Sequence, residues 1–179
     1  MEYIDRELIF DSDKIYFIEK NNTFEVMMDW EDEIMKKSAD YICENGGDIL
    51  EVGFGMGISA GYIQANNVKS HTIVENHPQI IEKLKIWAQD KPNVIIIEGD
   101  WYDVRHYLST YDGIFYDTYG EEDHNRFHTI LPSLTKPGTK FSWWNALSDK
   151  NIDYEVININ PPKNNYFNSN VYYLPKKQF

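Results

Sequence analysis

The chain of 179 residues has a single cysteine, few basic residues and no long apolar run. One thiol cannot form an internal disulfide, and a helical pattern around Cys43 favours a small packed residue. The apolar runs are too short to cross a bilayer, and the acidic, mixed segment from Met1 to Asp13 lacks the basic start of a secretion signal. We therefore expect a cytoplasmic protein with no membrane partner.

Positive charge is also scarce, because 17 Lys and Arg residues stand against 29 Asp and Glu residues, for a formal net charge of −12. Phosphate backbones are bound by Lys and Arg, so nucleic acid is not expected as a partner, whereas a small cationic substrate is favoured. The 42% hydrophobic content suffices for one core, and no linker divides the chain. We expect one domain, 1–179, with an N-terminal hairpin extension over 1–28 and a core over 29–179. The oligomeric state is left open.

What the chain does contain is a glycine-rich turn after an apolar run, since residues 49–57 read ILEVGFGMG. Glycine permits positive φ angles and lets the backbone approach a ligand closely. Glu51 stands where a pyrophosphate would be repelled, which favours a cationic or neutral nucleotide-like ligand. A glycine turn without a ligand is the alternative for the glycines taken alone.

Two further apolar runs end in acids. Residues 70–75 follow a helical segment and end in Glu75, which completes a strand, helix, strand unit. In such units the second acid binds both ribose hydroxyls, and we assign that role to Glu75. Residues 94–98 lead into Asp100 and Trp101, an acceptor for an exocyclic amine and an aromatic face for a purine. The alternative for Asp100 is a helix cap.

The remaining pattern is typical of an α/β protein. It predicts an N-terminal β-hairpin, a first helix with an acidic start, a second helix opened by proline, further strands and an antiparallel closing pair. The expected bounds are 14–19 and 23–28 for the hairpin, 30–44 and 78–89 for the helices, 113–116 and 139–144 for later strands, and 154–159 with 170–174 for the closing pair. A helix over 128–134 is interrupted by Pro132, and 136–138 form a turn.

The motif Glu-x-Gly-x-Gly-x-Gly at 51–57, followed by Glu75 and Gly99-Asp100, resembles class I S-adenosylmethionine-dependent methyltransferases. Residues 26–31, 51–56 and 116–119 resemble guanidinoacetate N-methyltransferase and fungal arginine δ-N-methyltransferase, which act on guanidino nitrogens. The resemblance runs from about Val26 to the end. It implies a Rossmann-like class I methyltransferase sheet, mostly parallel with an antiparallel closing strand, and S-adenosyl-L-methionine as cofactor, with S-adenosyl-L-homocysteine as product.

The resemblance also implies the site residues. The implied cofactor contacts are Met27, Met35, Glu51, Gly53, Phe54, Gly55, Met56, Gly57, Ile58, Ser59, Glu75, Asn76, His77, Asp100, Trp101 and Asp117. The implied substrate contacts are Glu31, Asp117, Tyr119, Asn145, Ala146 and Leu147. Soft thioethers suit an adenosyl-sulfonium group, although core packing is an equal alternative for Met27 and Met35.

The chemistry is assigned to two carboxylates. A guanidinium is planar and presents paired donors, so a carboxylate at a strand end, Asp117, can hold it in a fork. The resemblance supplies Glu31 as the second carboxylate. Together they would polarise the donor hydrogens and accept the proton as the new bond forms. The alternatives are a strand-end cap for Asp117 and a helix N-terminal charge for Glu31.

Other functions remain to be weighed. His124 and His128 are four residues apart beside three acids, which is a metal-ligand spacing, but no third ligand is placed and no metal site is predicted. A non-catalytic module that only binds the cofactor is a second alternative. Within the enzyme class, the alternative acceptors are another small amine and arginine in a protein.

Overall fold

The computed structural model of the protein describes residues 2–120, 125–146 and 154–179. After a short 3-10 helix, Tyr3–Asp5, the chain forms an antiparallel sheet of β1 (Ile9–Phe10), β2 (Lys14–Glu19) and β3 (Asn22–Met28). Lys20 and Asn21 join β2 to β3 with positive φ angles of 50° and 65°, the conformation that two-residue hairpin turns require. The predicted N-terminal hairpin is confirmed.

Helices and strands then alternate. The helices are α1 (Asp32–Ile42), α2 (Ile58–Ala65), α3 (Pro78–Trp87), α4 (Trp101–Val104), α5 (Asn125–His128) and α6 (Leu131–Leu134). The strands are β4 (Asp48–Val52), β5 (Ser70–Glu75), β6 (Val94–Glu98), β7 (Tyr111–Tyr116), β8 (Thr135–Trp143), β9 (Tyr154–Asn158), β10 (Val171–Pro175) and β11 (Lys177–Gln178). Short 3-10 turns occupy Asp29–Glu31 and Arg105–Tyr107. None of the helices in the described ranges combines the length and apolar character that a membrane span needs.

The central sheet has six strands in the order β11-β8-β7-β4-β5-β6. Its five longer strands run parallel, and β11 pairs with β8 in the antiparallel sense. Val52 is in register with Val74 on one side and with Tyr116 on the other, so the carboxyl ends of these strands lie level. From β4 the chain continues to β5 and β6 on one side of the sheet and then to β7 and β8 on the other. Open α/β sheets bind ligands at such a switch in strand order. The predicted fold class is confirmed.

The closing elements differ from the expectation in detail. β9 and β10 pair with each other as a separate two-stranded sheet, and the strand that joins the central sheet is β11. The predicted helix over 128–134 is divided into α5 and α6, because proline is tolerated only in the first turn of a helix. The predicted turn at 136–138 lies within β8, where its register with β7 shifts.

Apolar side chains cover both faces of the sheet. On one face, the completely buried Met35 and Ile42 of α1 pack against Ile49 and Phe115. On the other face, Trp101, Phe127 and Phe141 belong to a second buried cluster. The sheet is therefore covered on both sides, and its polar strand ends are the part open to a ligand.

Candidate active site

A cavity of about 580 Å³ lies at the carboxyl ends of β4, β5, β6 and β7. Many of the residues selected from the sequence line it. They are Met27, Glu31, Gly53, Phe54, Gly55, Ser59, Glu75, Asn76, Asp100, Trp101, Asp117, Tyr119 and Ala146. The cavity therefore brings together the glycine turn, the acids at three further strand ends and the acid that follows β3.

The glycine turn is shaped by two close approaches. Gly53 has φ +92°, and a Cβ there would lie 1.8 Å from the backbone oxygen of Asp117. Gly55 has φ +53°, and a Cβ there would lie 2.5 Å from the sulfur of Met27. Side chains at these positions would be both strained and blocked. Glycine thus allows the ends of β4 and β7 and the sulfur of Met27 to meet around the cavity.

Glu75 is fixed by the backbone of that turn and of its own loop. One carboxylate oxygen accepts a hydrogen bond from the Phe54 amide at 2.9 Å, and the other accepts from the amides of Asn76 and His77 at 2.9 and 2.8 Å. A carboxylate has about four acceptor positions, so capacity remains for a ligand in the cavity. About one acceptor position of Glu75 thus remains, on the oxygen that receives the Phe54 amide, and it can bind a hydroxyl of a ligand in the cavity.

Glu51 is placed differently from the prediction. Its side chain is completely buried, accepts a hydrogen bond from the Ser59 hydroxyl, and lies 2.8 Å from Nε2 of the equally buried His71. Gln64 lies 3.1 Å from the other ring nitrogen of His71. Glu51 does not line the cavity. It ties β4 to β5 and to the first turn of α2, behind the glycine turn.

The residues that follow β6 both cap a helix and line the cavity. The Asp100 side chain accepts a hydrogen bond from the Tyr102 amide at 2.9 Å and so caps α4, which is the alternative considered for it. Asp100 and Trp101 nevertheless line the cavity. Trp101 is 3% exposed, with its ring centroid 5.2 Å from that of Phe127. Only a small part of the indole is open to a ligand.

Glu31 enters the cavity from the turn before α1. The helix begins at Asp32, later than predicted, because Asp29–Glu31 form a 3-10 turn. One oxygen of Glu31, Oε1, accepts hydrogen bonds from the Met28 amide at 3.1 Å and from the Tyr166 hydroxyl at 2.5 Å. Because both donors use the same oxygen, Oε2 remains available to a ligand.

Asp117 follows β7 and faces the same cavity as Glu31. Its backbone amide donates to the Val52 carbonyl at 2.9 Å, which extends the pairing of β7 with β4 by one residue. Burial, together with the negative charges of Glu51 and Glu75, raises the pKa of Asp117. Burial and the charge of Asp117 likewise raise the pKa of Glu31, even though two hydrogen bonds oppose the shift. A bound cation would relieve both effects.

Aromatic side chains that the sequence reasoning missed form one wall. Tyr166 and Trp144 line the cavity, and Trp30 lies behind them with ring centroids 6.0 Å from Tyr166 and 6.2 Å from Trp144. Tyr166 lies in the asparagine-rich stretch 164–170, where no local pattern indicates a binding role. Aromatic faces attract planar cations, so this wall suits a guanidinium.

Several other selected residues lie outside the cavity lining. They are Met35, Glu51, Met56, Gly57, Ile58, His77 and Asn145. Met35 is 0% exposed within the core, in accordance with the packing alternative. Asn145 donates its side-chain amide to the Tyr173 carbonyl at 2.8 Å and its backbone amide to the Tyr172 hydroxyl. It therefore anchors β10 beside Trp144 and Ala146.

Two predictions fall partly outside the described residues. Leu147 lies there, and so does His124 with its neighbouring acids. His128 packs with ring centroids 5.4 Å from Phe141 and 5.2 Å from Trp143. No cluster of three or more metal-ligating side chains occurs within 2–120, 125–146 and 154–179.

Further lining residues had no motif to reveal them. Tyr3 reaches the cavity from the N-terminal 3-10 helix, with its ring centroid 4.9 Å from His77 and 4.7 Å from Tyr119. Burial and the charge of Glu75 raise the pKa of Tyr3. Glu25 and Asn165 line the cavity from β3 and from the segment before β10. Their positions depend on tertiary packing rather than on any local pattern.

Solved structures that resemble this chain include methyltransferases of low sequence identity. Precorrin-6y C5,15-methyltransferase from Geobacter metallireducens has a TM-score of 0.59 at 14% identity, covering 80% of this chain and 86% of that one. Aeropyrum pernix fibrillarin, solved with natively bound S-adenosyl-L-methionine, has a TM-score of 0.51 at 18% identity, covering 73% of this chain and 60% of that one. These likenesses show the fold alone.

Sequence comparison is more specific. A Candida glabrata protein named "Protein arginine N-methyltransferase 2" is 40% identical over 168 residues, covering 86% of this chain and 40% of the relative. The chain spans between 36% and 53% of the length of the curated relatives it matches. The family model for guanidinoacetate N-methyltransferase matches residues 17–140. The resemblance read from the motifs is confirmed, and the chain belongs to the guanidinoacetate N-methyltransferase family.

Proposed function

We propose that this chain is an S-adenosyl-L-methionine-dependent N-methyltransferase that methylates a guanidino group of a small cationic acceptor. The observation that carries this proposal is the convergence of Glu31 and Asp117, two carboxyl groups with raised pKa values, on one cavity. Ionisation of both carboxyl groups in one cavity is unfavourable without a bound cation and becomes favourable when a cation binds. A guanidinium supplies both the charge and paired donors for two carboxylates.

The cavity also suits the cofactor. Glu75 lines it with acceptor capacity to spare, and the positive φ angles of Gly53 and Gly55 keep the turn free of side chains. When bound, S-adenosyl-L-methionine supplies an electrophilic methyl group on a sulfonium. Residues proposed to hold it are Met27, Gly53, Phe54, Gly55, Ser59, Glu75, Asn76, Asp100, Trp101 and Asp117.

The residues of the chain then act on the acceptor. Glu31 and Asp117 would hold the guanidinium so that one nitrogen faces the donor, while the faces of Trp144 and Tyr166 limit its tilt. Correct positioning supplies up to roughly 7–11 kcal/mol of the barrier reduction in such reactions. A delocalised guanidinium has no free lone pair, so Asp117 accepts the proton that the nitrogen loses as its bond to carbon forms.

The decisive experiment offers the chain S-adenosyl-L-methionine and a panel of acceptors, with products identified by mass. The panel contains guanidinoacetate, arginine, a neutral alkylguanidine, small amines without a guanidine, and an arginine-containing peptide. We expect methylation of guanidines and formation of S-adenosyl-L-homocysteine. Methylation of simple amines alone would refute the guanidino assignment.

Two alternatives are separated by the same panel. The Candida glabrata relative is named for protein arginine, so methylation of the peptide without any small guanidine would replace the small acceptor by a protein. Cofactor binding with no methylated product from any acceptor would favour a non-catalytic module.

A further inference from the structure

The walls of the cavity are acidic throughout the part that the structure describes. Five lining residues are acids, namely Glu25, Glu31, Glu75, Asp100 and Asp117, and no Lys or Arg occurs among the described lining residues. Glu75 and Asp100 are engaged by backbone amides, and Glu31 and Asp117 form the carboxylate pair. Glu25 is the acid that neither the proposed chemistry nor the local backbone accounts for.

Glu25 lies on β3, two residues before Met27, at a point where the register of β3 with β2 shifts by one residue. The bulge interrupts the alternation of side chains along the strand, and Glu25, Val26 and Met27 all line the cavity. It is partly buried, and none of the ion pairs and hydrogen bonds formed by the described residues involves its carboxylate. Burial raises the pKa of Tyr119, which also lines the cavity, and the charge of Glu25 adds to that shift. Glu25 thus presents an uncompensated carboxylate to the cavity.

The neighbouring cation is already engaged. Arg6 forms an ion pair with Glu19 at 2.9 Å, and its guanidinium lies 4.5 Å from the ring centroid of Phe17. The Asn165 side chain donates to the Thr23 carbonyl at 3.1 Å, which holds the segment containing Tyr166 against the start of β3. Arg6 is therefore paired with Glu19 and Asn165 with the β3 backbone, and neither neutralises the charge of Glu25. A cationic ligand could do so.

We propose that Glu25 binds a second positive charge on the acceptor, so that guanidines with a cationic tail are preferred over those with a neutral or anionic tail. This inference rests on the proposed guanidino methylation. A carboxylate tail would face these acids, and no Lys or Arg among the described lining residues would offset the repulsion, so its binding would be weaker. An ammonium tail would instead gain a charge-assisted hydrogen bond.

The test uses three probes with the same four-carbon spacing: (4-aminobutyl)guanidine, butylguanidine and 4-guanidinobutyrate. For the unmodified chain we expect kcat/KM to decrease in that order. Glu25→Gln should reduce the ratio of kcat/KM between the aminobutyl and butyl compounds about tenfold, the equivalent of one hydrogen bond to a charged group. Glu33→Gln removes an exposed charge from the first turn of α1 and should leave that ratio unchanged.

The outcomes separate the two proposals. If neither alkylguanidine is methylated, the proposal of a small guanidino acceptor fails. If both are methylated and Glu25→Gln leaves their ratio unchanged, the role of Glu25 is refuted while the guanidino assignment stands. Calorimetry with S-adenosyl-L-homocysteine gives a further check, because a loss of its affinity in Glu25→Gln with an unchanged ratio would assign Glu25 to the amino group of the cofactor instead.

Discussion

The two halves of the cavity hold their carboxylates in different ways. In the half formed by the ends of β4, β5 and β6, here called the cofactor half, Glu75 accepts three backbone hydrogen bonds. In the half formed by Glu31, Asp117, Trp144 and Tyr166, here called the acceptor half, both carboxyl groups have raised pKa values. Backbone donors hold the carboxylate of the cofactor half, whereas in the acceptor half the two hydrogen bonds to Glu31 leave the pKa values of both carboxyl groups raised, and a cation would favour their ionised forms.

This difference assigns distinct energetic roles to similar residues. Removing the charge of Glu75 leaves backbone donors without acceptors, which destabilises the fold. Removing a charge from the acceptor half relieves repulsion and burial, which stabilises the fold at the expense of function. Substitution of a carboxylate by its amide should therefore have opposite effects on stability in the two halves.

The largest effect is expected for Asp117→Asn. The variant loses the proposed proton acceptor, and we expect kcat for guanidine methylation to fall about 10³-fold, the scale of removing one key electrostatic group. The measurement is single-turnover product formation by mass. Asp112→Asn provides a comparison on the same strand, where Asp112 faces Lys136 and the Asp48 amide away from the cavity. Full activity of Asp117→Asn would contradict the proposed role of Asp117 in methylation.

The next effect concerns Glu75→Gln. Both oxygens of Glu75 accept backbone amides, so the amide nitrogen of glutamine must face a backbone donor. We expect cofactor affinity to fall about 100-fold, through the loss of one charged hydrogen bond and the conflict of two donors. Isothermal titration measures the affinity, and the melting temperature should fall as well. A higher melting temperature for Glu75→Gln would contradict the expectation that loss of a carboxylate destabilises the cofactor half and stabilises the acceptor half.

Glu31→Gln tests the opposite sign. Both donors to Glu31 use Oε1, so glutamine keeps them. The folded-state pKa of Glu31 is raised, so its ionisation costs stability as pH rises from the ordinary carboxyl pKa through the raised value. We expect the variant to melt roughly 2–4 °C higher than the unmodified chain above that pKa, which corresponds to about 1 kcal/mol in a chain of this size.

The pH dependence supplies the control for that variant. Below the ordinary pKa of a carboxyl group, Glu31 is protonated in both the folded and the unfolded chain, and the melting temperatures of the two proteins should converge. Scanning calorimetry across the acid and neutral range checks this. Equal melting temperatures at every pH would show that the buried charge of Glu31 does not lower the stability of the fold.

The smallest effect is expected for Tyr166→Phe. Its hydroxyl donates to Glu31 and lowers the carboxyl pKa, so its removal should raise that pKa by about one unit, the equivalent of one hydrogen bond to a charged group. In the proposed mechanism the ionised carboxylate of Glu31 binds the acceptor, so the acidic limb of the kcat/KM profile should move to higher pH. Tyr173→Phe, outside the cavity lining, should leave the limb in place.

The sequence predicts the cofactor half better than the acceptor half. Glu75, Gly53 and Asp100 follow apolar strands, and the carboxyl ends of parallel strands converge, so local pattern reveals them. Tyr166 and Glu25 reach the cavity through the packing of a late segment on the N-terminal hairpin, which no spacing encodes. Glu51 follows the motif but turns away from the cavity, because His71 and Ser59 satisfy it.

The hydrogen bond between Tyr166 and Glu31 joins residues 135 positions apart, whereas Glu75 and Phe54 are 21 positions apart. During synthesis on a ribosome, the glycine turn therefore has its partners long before Glu31 acquires its own. The wall formed by Tyr166 is added to the cavity only after the strands that carry Glu75 and Asp117 have been synthesised. The orientation of Glu31 thus depends on a segment made 135 residues later than Glu31 itself.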